Sequence, residues 1–195
     1  MLVPNAKQGI GMKSVVIQQV AFQGVWLACA LGGADGVAWP GVAAAAAFLT
    51  IHLAVAPDPG RDLGTVGIAL VLGWLLDSIA VGASFVSYPG SPLALGPSPL
   101  WMLSLWAAFA LTVPVAFSWL VGRVALGAWF GAMGGLLAYF AGSRLGALEV
   151  SGGPGWGAIA LGWGLAMPIL VATSHRLSSL SFSDGPPRAS GSINC

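Results

Sequence analysis

LGWLLDSIAVGAS, residues 72–84, is an apolar stretch interrupted by a single carboxylate, Asp77. It lies in a run from Leu63 to Val86 that is long enough to cross a bilayer, whose hydrocarbon core is roughly 30 Å thick and takes about 20 apolar residues. An ionised carboxylate facing lipid at mid-helix costs roughly 2.5–3.5 kcal/mol. Asp77 therefore turns inward, finds a partner or stays protonated. Composition decides that the run is a span and not a buried soluble helix. The 195 residues are 57% hydrophobic and 7% charged, whereas soluble domains carry roughly 25% charged residues. Too few polar side chains are present to solvate a surface. The net charge of +1 lacks the basic footprint that nucleic acid requires, so membrane lipids are the expected surroundings and nucleic acid is not an expected partner.

Five further runs have span length: Ser14–Gly33, Val37–Val55, Leu100–Leu120, Arg123–Gly142 and Gly155–Thr173. The breaks are turn-like. Gly32, Gly33 and Asp35 close the first hairpin, and APDPGRD at 56–62 the second. SYPGSPLALGPSP at 87–99 reads as an ordered external loop, and Val121 and Gly122 as a very short hairpin. The first run begins with a lysine, as a signal peptide does, but it is long, holds Gln18, Gln19 and Gln23, and shows no clean cleavage site. It is read as a retained span, and Met12 as an alternative start. The fold class expected is all-α: a six-transmembrane-helix bundle over 14–173, with disordered cytoplasmic segments at 1–13 and 174–195.

Lys and Arg set orientation. With the N-terminus inside, Lys7, Lys13, Arg61, Arg123, Arg176 and Arg188 are cytoplasmic and only Arg144 is outside. This gives an N-in/C-in protein. Trp39, Trp101 and Trp156 then open runs at the outer interface, with Trp119 and Trp129 toward the inner one, as aromatic belts require.

Three segments together, LGWLLDS at 72–78, PSPLWMLSLWAAFALT at 97–112 and GGLLAYFAGSRLGAL at 134–148, resemble a family of small bacterial inner-membrane proteins known as domain of unknown function 2878. The resemblance covers about Ser14 to Thr173. It implies a multi-pass protein of the bacterial inner membrane, in genes that often neighbour those for lipid-modifying and flavin-dependent enzymes. It implies no catalytic residue.

Among candidate functional residues, Asp77 stands about 21 Å up the third helix and Arg144 about 30 Å up the fifth. One acid and one base alone in the outer half suggest an Asp77–Arg144 clamp, with a proton or substrate site as the alternative. His52, near the inner end of the second helix, is within reach of Gln19 or Gln23 on the first. That contact reads as packing glue or as a proton relay lacking a carboxylate at its depth. Gly127, Gly131 and Gly135 recur every four residues on the fifth helix, and Gly157, Ala160 and Gly164 share a face of the sixth. Such small-residue stripes let backbones approach, within the bundle or across a homodimer. His52 and His175 have no second ligand at helix spacing, and Cys29 and Cys195 form no metal motif, so no metal and no cofactor is expected. Short loops and the lack of a catalytic cluster favour a non-catalytic accessory or lipid-associated membrane subunit, possessing at most a membrane-protein partner or a second copy. Two other readings stay open: a small proton-coupled transporter using Asp77, and an intramembrane lipid-modifying enzyme.

Overall fold

The computed structural model describes residues 12–91 and 94–183. Six α-helices run through them: α1 (Met12–Ala34), α2 (Trp39–Val55), α3 (Pro59–Gly82), α4 (Leu100–Ala116), α5 (Val124–Arg144) and α6 (Gly152–Ser183). Four of these, α1, α3, α5 and α6, are long and apolar enough to cross a membrane, so the chain is compatible with a multi-pass membrane protein. The other two, α2 and α4, are apolar helices of 17 residues each. The expected disorder at 1–11 and 184–195 lies outside the described residues. Met12 and Lys13 are already helical, and α6 continues past the expected end at Thr173 to Ser183. At 32 residues that helix is ~48 Å long and exceeds the hydrocarbon thickness.

The chain is not purely helical. Among the described residues four two-residue strands, β1 (Val86–Ser87), β2 (Ala94–Leu95), β3 (Ser98–Pro99) and β4 (Glu149–Val150), make two antiparallel pairs, β1 with β4 and β2 with β3. The first pair ties the α3–α4 loop to the α5–α6 loop at one end of the bundle.

Local chemistry sets the helix ends. Asp58 caps α3, its carboxylate accepting the Arg61 backbone N–H at 3.0 Å, and Pro59 occupies the first turn, where its missing N–H is not needed. In α4, Pro114 cannot donate to the preceding turn and its ring crowds the carbonyl four residues back. That helix accordingly stops at Ala116 and not at the expected Leu120; a 3₁₀ turn at Ser118–Leu120 and Gly122, with φ +77°, carry the chain into α5.

The most enclosed helix is α4, with Trp101, Met102, Trp106, Ala108, Leu111 and Val113 all buried. It packs against α1, α2, α3 and α6, while α5 rests chiefly on α6. The α5–α6 seam depends on small residues. A Cβ built at Gly131 would collide with the Trp163 carbonyl oxygen, and one at Gly135 with the Trp163 ring. Gly127 lies against Pro168, and a Cβ added at Gly164 would sit 3.4 Å from the Ala128 carbonyl oxygen. Gly157 does not belong to this contact: it is exposed, and nothing approaches its Cβ position within 4 Å. The sixth helix meets α5 through Trp163, Gly164, Met167 and Pro168, and near its start through Trp156, whose ring lies 6.3 Å from that of Phe140; Gly157 faces away from both.

Trp163 carries the contact further. Its ring stacks on Trp106 of α4 with centroids 4.3 Å apart and planes 9° from parallel. Gly73 of α3 closes the far side, where any Cβ would run into the Trp106 ring. Two glycines thus enclose two stacked indoles across four helices. Gly135→Ala and Gly73→Ala should each lower stability by about 1–3 kcal/mol, the usual cost of overpacking, although alanine favours a helix. Gly134→Ala, whose Cβ enters open space, should be neutral or slightly stabilising. Thermal unfolding in detergent checks the contrast; equal melting temperatures for the Gly135 and Gly134 variants would contradict it.

Candidate functional site

Asp77 sits on the inner face of α3 and is 1% exposed. Three hydroxyls donate to it. Tyr88 and Tyr139 reach Oδ1, each at 3.1 Å, and Ser98 reaches Oδ2 at 2.9 Å. These donors come from the loop after β1, from α5 and from β3, so one carboxylate joins four segments. Tyr88 also meets Trp101 edge to face, with centroids 5.6 Å apart, and the Trp101 indole N–H donates to Ser91 Oγ at 3.1 Å. Burial, with Tyr139 and Asp77 close by, raises the Tyr88 phenol well above its ordinary pKa, so it remains a hydroxyl donor.

The expected Asp77–Arg144 clamp is not formed. No ion pair joins them among the described residues, and Arg144 is exposed at the end of α5. The physical reason is that three hydroxyl donors satisfy a carboxylate without desolvating a guanidinium, whereas a buried ion pair must desolvate both charges.

A second polar cluster lies at the opposite end of α3. Asp62, also 1% exposed, accepts from His52 Nε2 at 2.9 Å through Oδ2, while its Oδ1 takes Arg61 Nε at 2.8 Å and Nη2 at 2.7 Å. His52 Nδ1 lies 3.1 Å from Gln18 Nε2, which also donates to the Leu111 carbonyl oxygen at 2.8 Å. That carbonyl fixes the amide orientation, so the network assigns the His52 proton to Nε2. Two expectations are corrected here. The glutamine on His52 is Gln18, not Gln19 or Gln23, because α1 turns those two toward α5. A carboxylate does stand at the depth of His52: the DPGRD turn folds the first turn of α3 back beside the last turn of α2. The ten-residue spacing of His52 and Asp62 across that tight turn was the clue to it.

Gln19 and Gln23 line a different feature, a cleft of about 460 Å³ between α1 and α5, with α4 and α6 as its floor. Its walls are aromatic and aliphatic, including Phe22, Trp26, Phe109 and Phe130, and Gly134 and Tyr139 contribute from α5. Tyr139 thus links the cleft to Asp77, which is not itself on the wall. The Gln19 Nε2 atom is buried without a hydrogen-bond partner among the described residues. No group of three His, Cys, Asp or Glu residues is placed to hold a metal among the described residues.

The three motifs that carry the resemblance fall inside a match to one protein family, described as protein of unknown function (DUF2878), over residues 15–169. No curated protein and no solved structure matches the chain.

Hydrogen bonds to a charged group are worth about 1.5–3 kcal/mol each. Tyr139→Phe and Tyr88→Phe should each destabilise by about that amount, and Asp77→Ala by more, because it orphans three hydroxyls. Since both tyrosines share Oδ1, the double phenylalanine variant should depart from additivity by at least about 0.5 kcal/mol. Arg144→Ala should change stability by less than about 0.5 kcal/mol, as exposed substitutions do, and show no coupling to Asp77. Thermal unfolding of the wild type, these five variants and the Asp77→Ala/Arg144→Ala double variant tests this; strong coupling between Asp77 and Arg144 would restore the clamp.

Proposed function

We propose, for a chain that belongs to the family described as protein of unknown function (DUF2878), the role of a non-catalytic, lipid-associated subunit of the bacterial inner membrane that holds a lipid chain in the α1–α5 cleft. The cleft carries this reading. Its volume of about 460 Å³ falls within the roughly 300–1,000 Å³ of small-molecule sites. Between Gln19 and Ala30 on α1 it runs ~17 Å, about half of the ~30 Å hydrocarbon core. It opens sideways, between two helices that each have span length.

All six helices cross the membrane in this reading. At 17 residues, α2 and α4 sit at the short end of the span range of about 17–25, and α4 is lined by other helices for most of its length. The Lys and Arg distribution orients the protein N-in/C-in. A lateral cleft is also where a partner membrane protein could deliver or collect a lipid, which fits an accessory role.

A proton-coupled transporter using Asp77 has less support. Asp77 is held by three hydroxyls behind Tyr139, off the wall of the cleft. The same closure counts against an intramembrane enzyme built on Asp77, since each of its oxygens is already engaged.

Gly134 gives a direct test, because a side chain there grows into the cleft and not into protein. Native mass spectrometry of the protein released from nanodiscs should find retained lipid on the wild type and little on Gly134→Phe, at similar thermal stability. Unchanged lipid retention would defeat the proposal. Reporter fusions after Arg61, Arg123 and Arg176 should report cytoplasmic locations and a fusion within 89–97 an external one; a cytoplasmic 89–97 loop would overturn the orientation.

A further inference from the structure

The middle of α1 carries a polar group that nothing around it satisfies. Gln23 is the central residue of this 23-residue helix, ~16 Å from either end. The helix is long and apolar enough to cross a membrane, so in the proposed arrangement the Gln23 amide stands at the midplane of the ~30 Å hydrocarbon core. Its side chain is exposed and makes no hydrogen bond among the described residues. An amide without a partner is strongly disfavoured there, because hydrocarbon holds no water to relieve it. Gln18 shows the contrast: its amide nitrogen is used by His52 and the Leu111 carbonyl oxygen.

Gln23 lies on the wall of the α1–α5 cleft. No Lys, Arg, Asp or Glu lines that cleft, so a charged group inside would lack a counter-charge, and the buried part of the occupant is neutral. A phospholipid ester stays at the polar edge, about half of the ~30 Å core away, and its chain offers Gln23 only hydrocarbon. The occupant therefore brings a neutral oxygen of its own down to the midplane. The surroundings of the amide specify what bears that oxygen. Beside it, Phe22 packs on Phe109 with centroids 5.9 Å apart, and Phe109 meets Trp163 edge to face at 5.3 Å. All three rings line the cleft. The two walls come together at one end, where a Cβ built at Gly146 would lie 3.9 Å from that of Ala34. Counting back along both chains from that contact brings Gly134 about level with Gln23, and nothing approaches the Gly134 Cβ position within 4 Å. An aromatic floor and a bare glycine backbone opposite the amide make a slot for a flat ring.

We infer that the cleft takes a prenylquinone, its ring against the aromatic floor and a ring carbonyl accepting a hydrogen bond from the Gln23 amide. Such a lipid has no charged headgroup to hold it at the surface, so its ring reaches this depth. The amide donates to a quinone carbonyl and accepts from a quinol hydroxyl, so it holds either oxidation state. A mostly apolar site with one placed polar group is the usual design of a small-molecule pocket.

The inference rests on the cleft being a lipid site, and the experiment separates the two. Wild type, Gln23→Leu and Gly134→Phe would be delipidated in detergent. Each is then offered a ubiquinone with a two-isoprene tail against geranylbenzene, which has the same tail on a ring without oxygens, with native mass spectrometry as readout. One hydrogen bond is worth about five-fold in affinity. The wild type should prefer the quinone by at least about that factor. Gln23→Leu should bind the quinone about five-fold more weakly, bind geranylbenzene as before, and melt no lower than wild type, because it removes an unmet amide. Gly134→Phe should bind neither. If Gly134→Phe binds both and still retains phospholipid from nanodiscs, the cleft reading itself fails. If Gly134→Phe binds neither but the wild type shows no preference, or Gln23→Leu keeps one, the quinone is refuted while the cleft stands. A wild-type dimer that Gln23→Leu turns into a monomer would show that a second copy meets the amide, and would refute the quinone as its partner. A phosphatidylglycerol bearing a mid-chain ketone that outcompetes the quinone in a Gln23-dependent way would overturn the ring as the source of the oxygen.

Discussion

The carboxylate of Asp77 organises one end of this molecule. A single acid on α3 takes hydroxyls from α5 and from two points of the loop that joins α3 to α4. In a low-dielectric interior such bonds are strong, and the alternative for each buried hydroxyl is no partner at all. The loop is thereby pulled onto the bundle, which lets Trp101 insert beneath it and β1 pair with β4. The carboxylate is a fastener made from one charge and three neutral groups, and it avoids the desolvation of a second ion.

The other end of α3 is fastened by a different chemistry. Asp62 and Asp77 lie fifteen residues apart, ~22 Å along the axis. At the first turn Asp62 is held by the side chains of Arg61 and His52. Farther along only hydroxyls serve. Between these ends the stacked Trp106 and Trp163 rings, enclosed by Gly73 and Gly135, draw α3, α4, α6 and α5 into one row. Since α5 is held from the α6 side, the space between it and α1 is left as the cleft. Close packing on one face of α5 and an opening on the other have a common cause.

Much of the fold was legible in the sequence. Helix positions followed from apolar run length, and turns from Asp35, Asp58–Pro59 and Gly122, whose conformations are local, although Gly32 and Gly33, read as part of the first turn, are the end of α1. Asp77 had to face inward on energetic grounds alone, and the four-residue spacing of Gly127, Gly131 and Gly135 marked a close helix contact. These features depend only on neighbours along the chain and on the bilayer as solvent.

The partners of those residues were decided by tertiary structure. Each helix is apolar on nearly all sides, so hydrophobic periodicity does not fix its rotation about its axis. Without that rotation Gln18, Gln19 and Gln23 are interchangeable candidates for His52, and Gly157 looks as well placed as Gly164. Charges are few and were matched to each other, which paired Asp77 with Arg144; tyrosine and serine hydroxyls are too common in sequence to single out Tyr88, Ser98 and Tyr139. The cleft was invisible for a related reason. It is made by the absence of contact between two helices, and the sequence of either helix carries only what it touches.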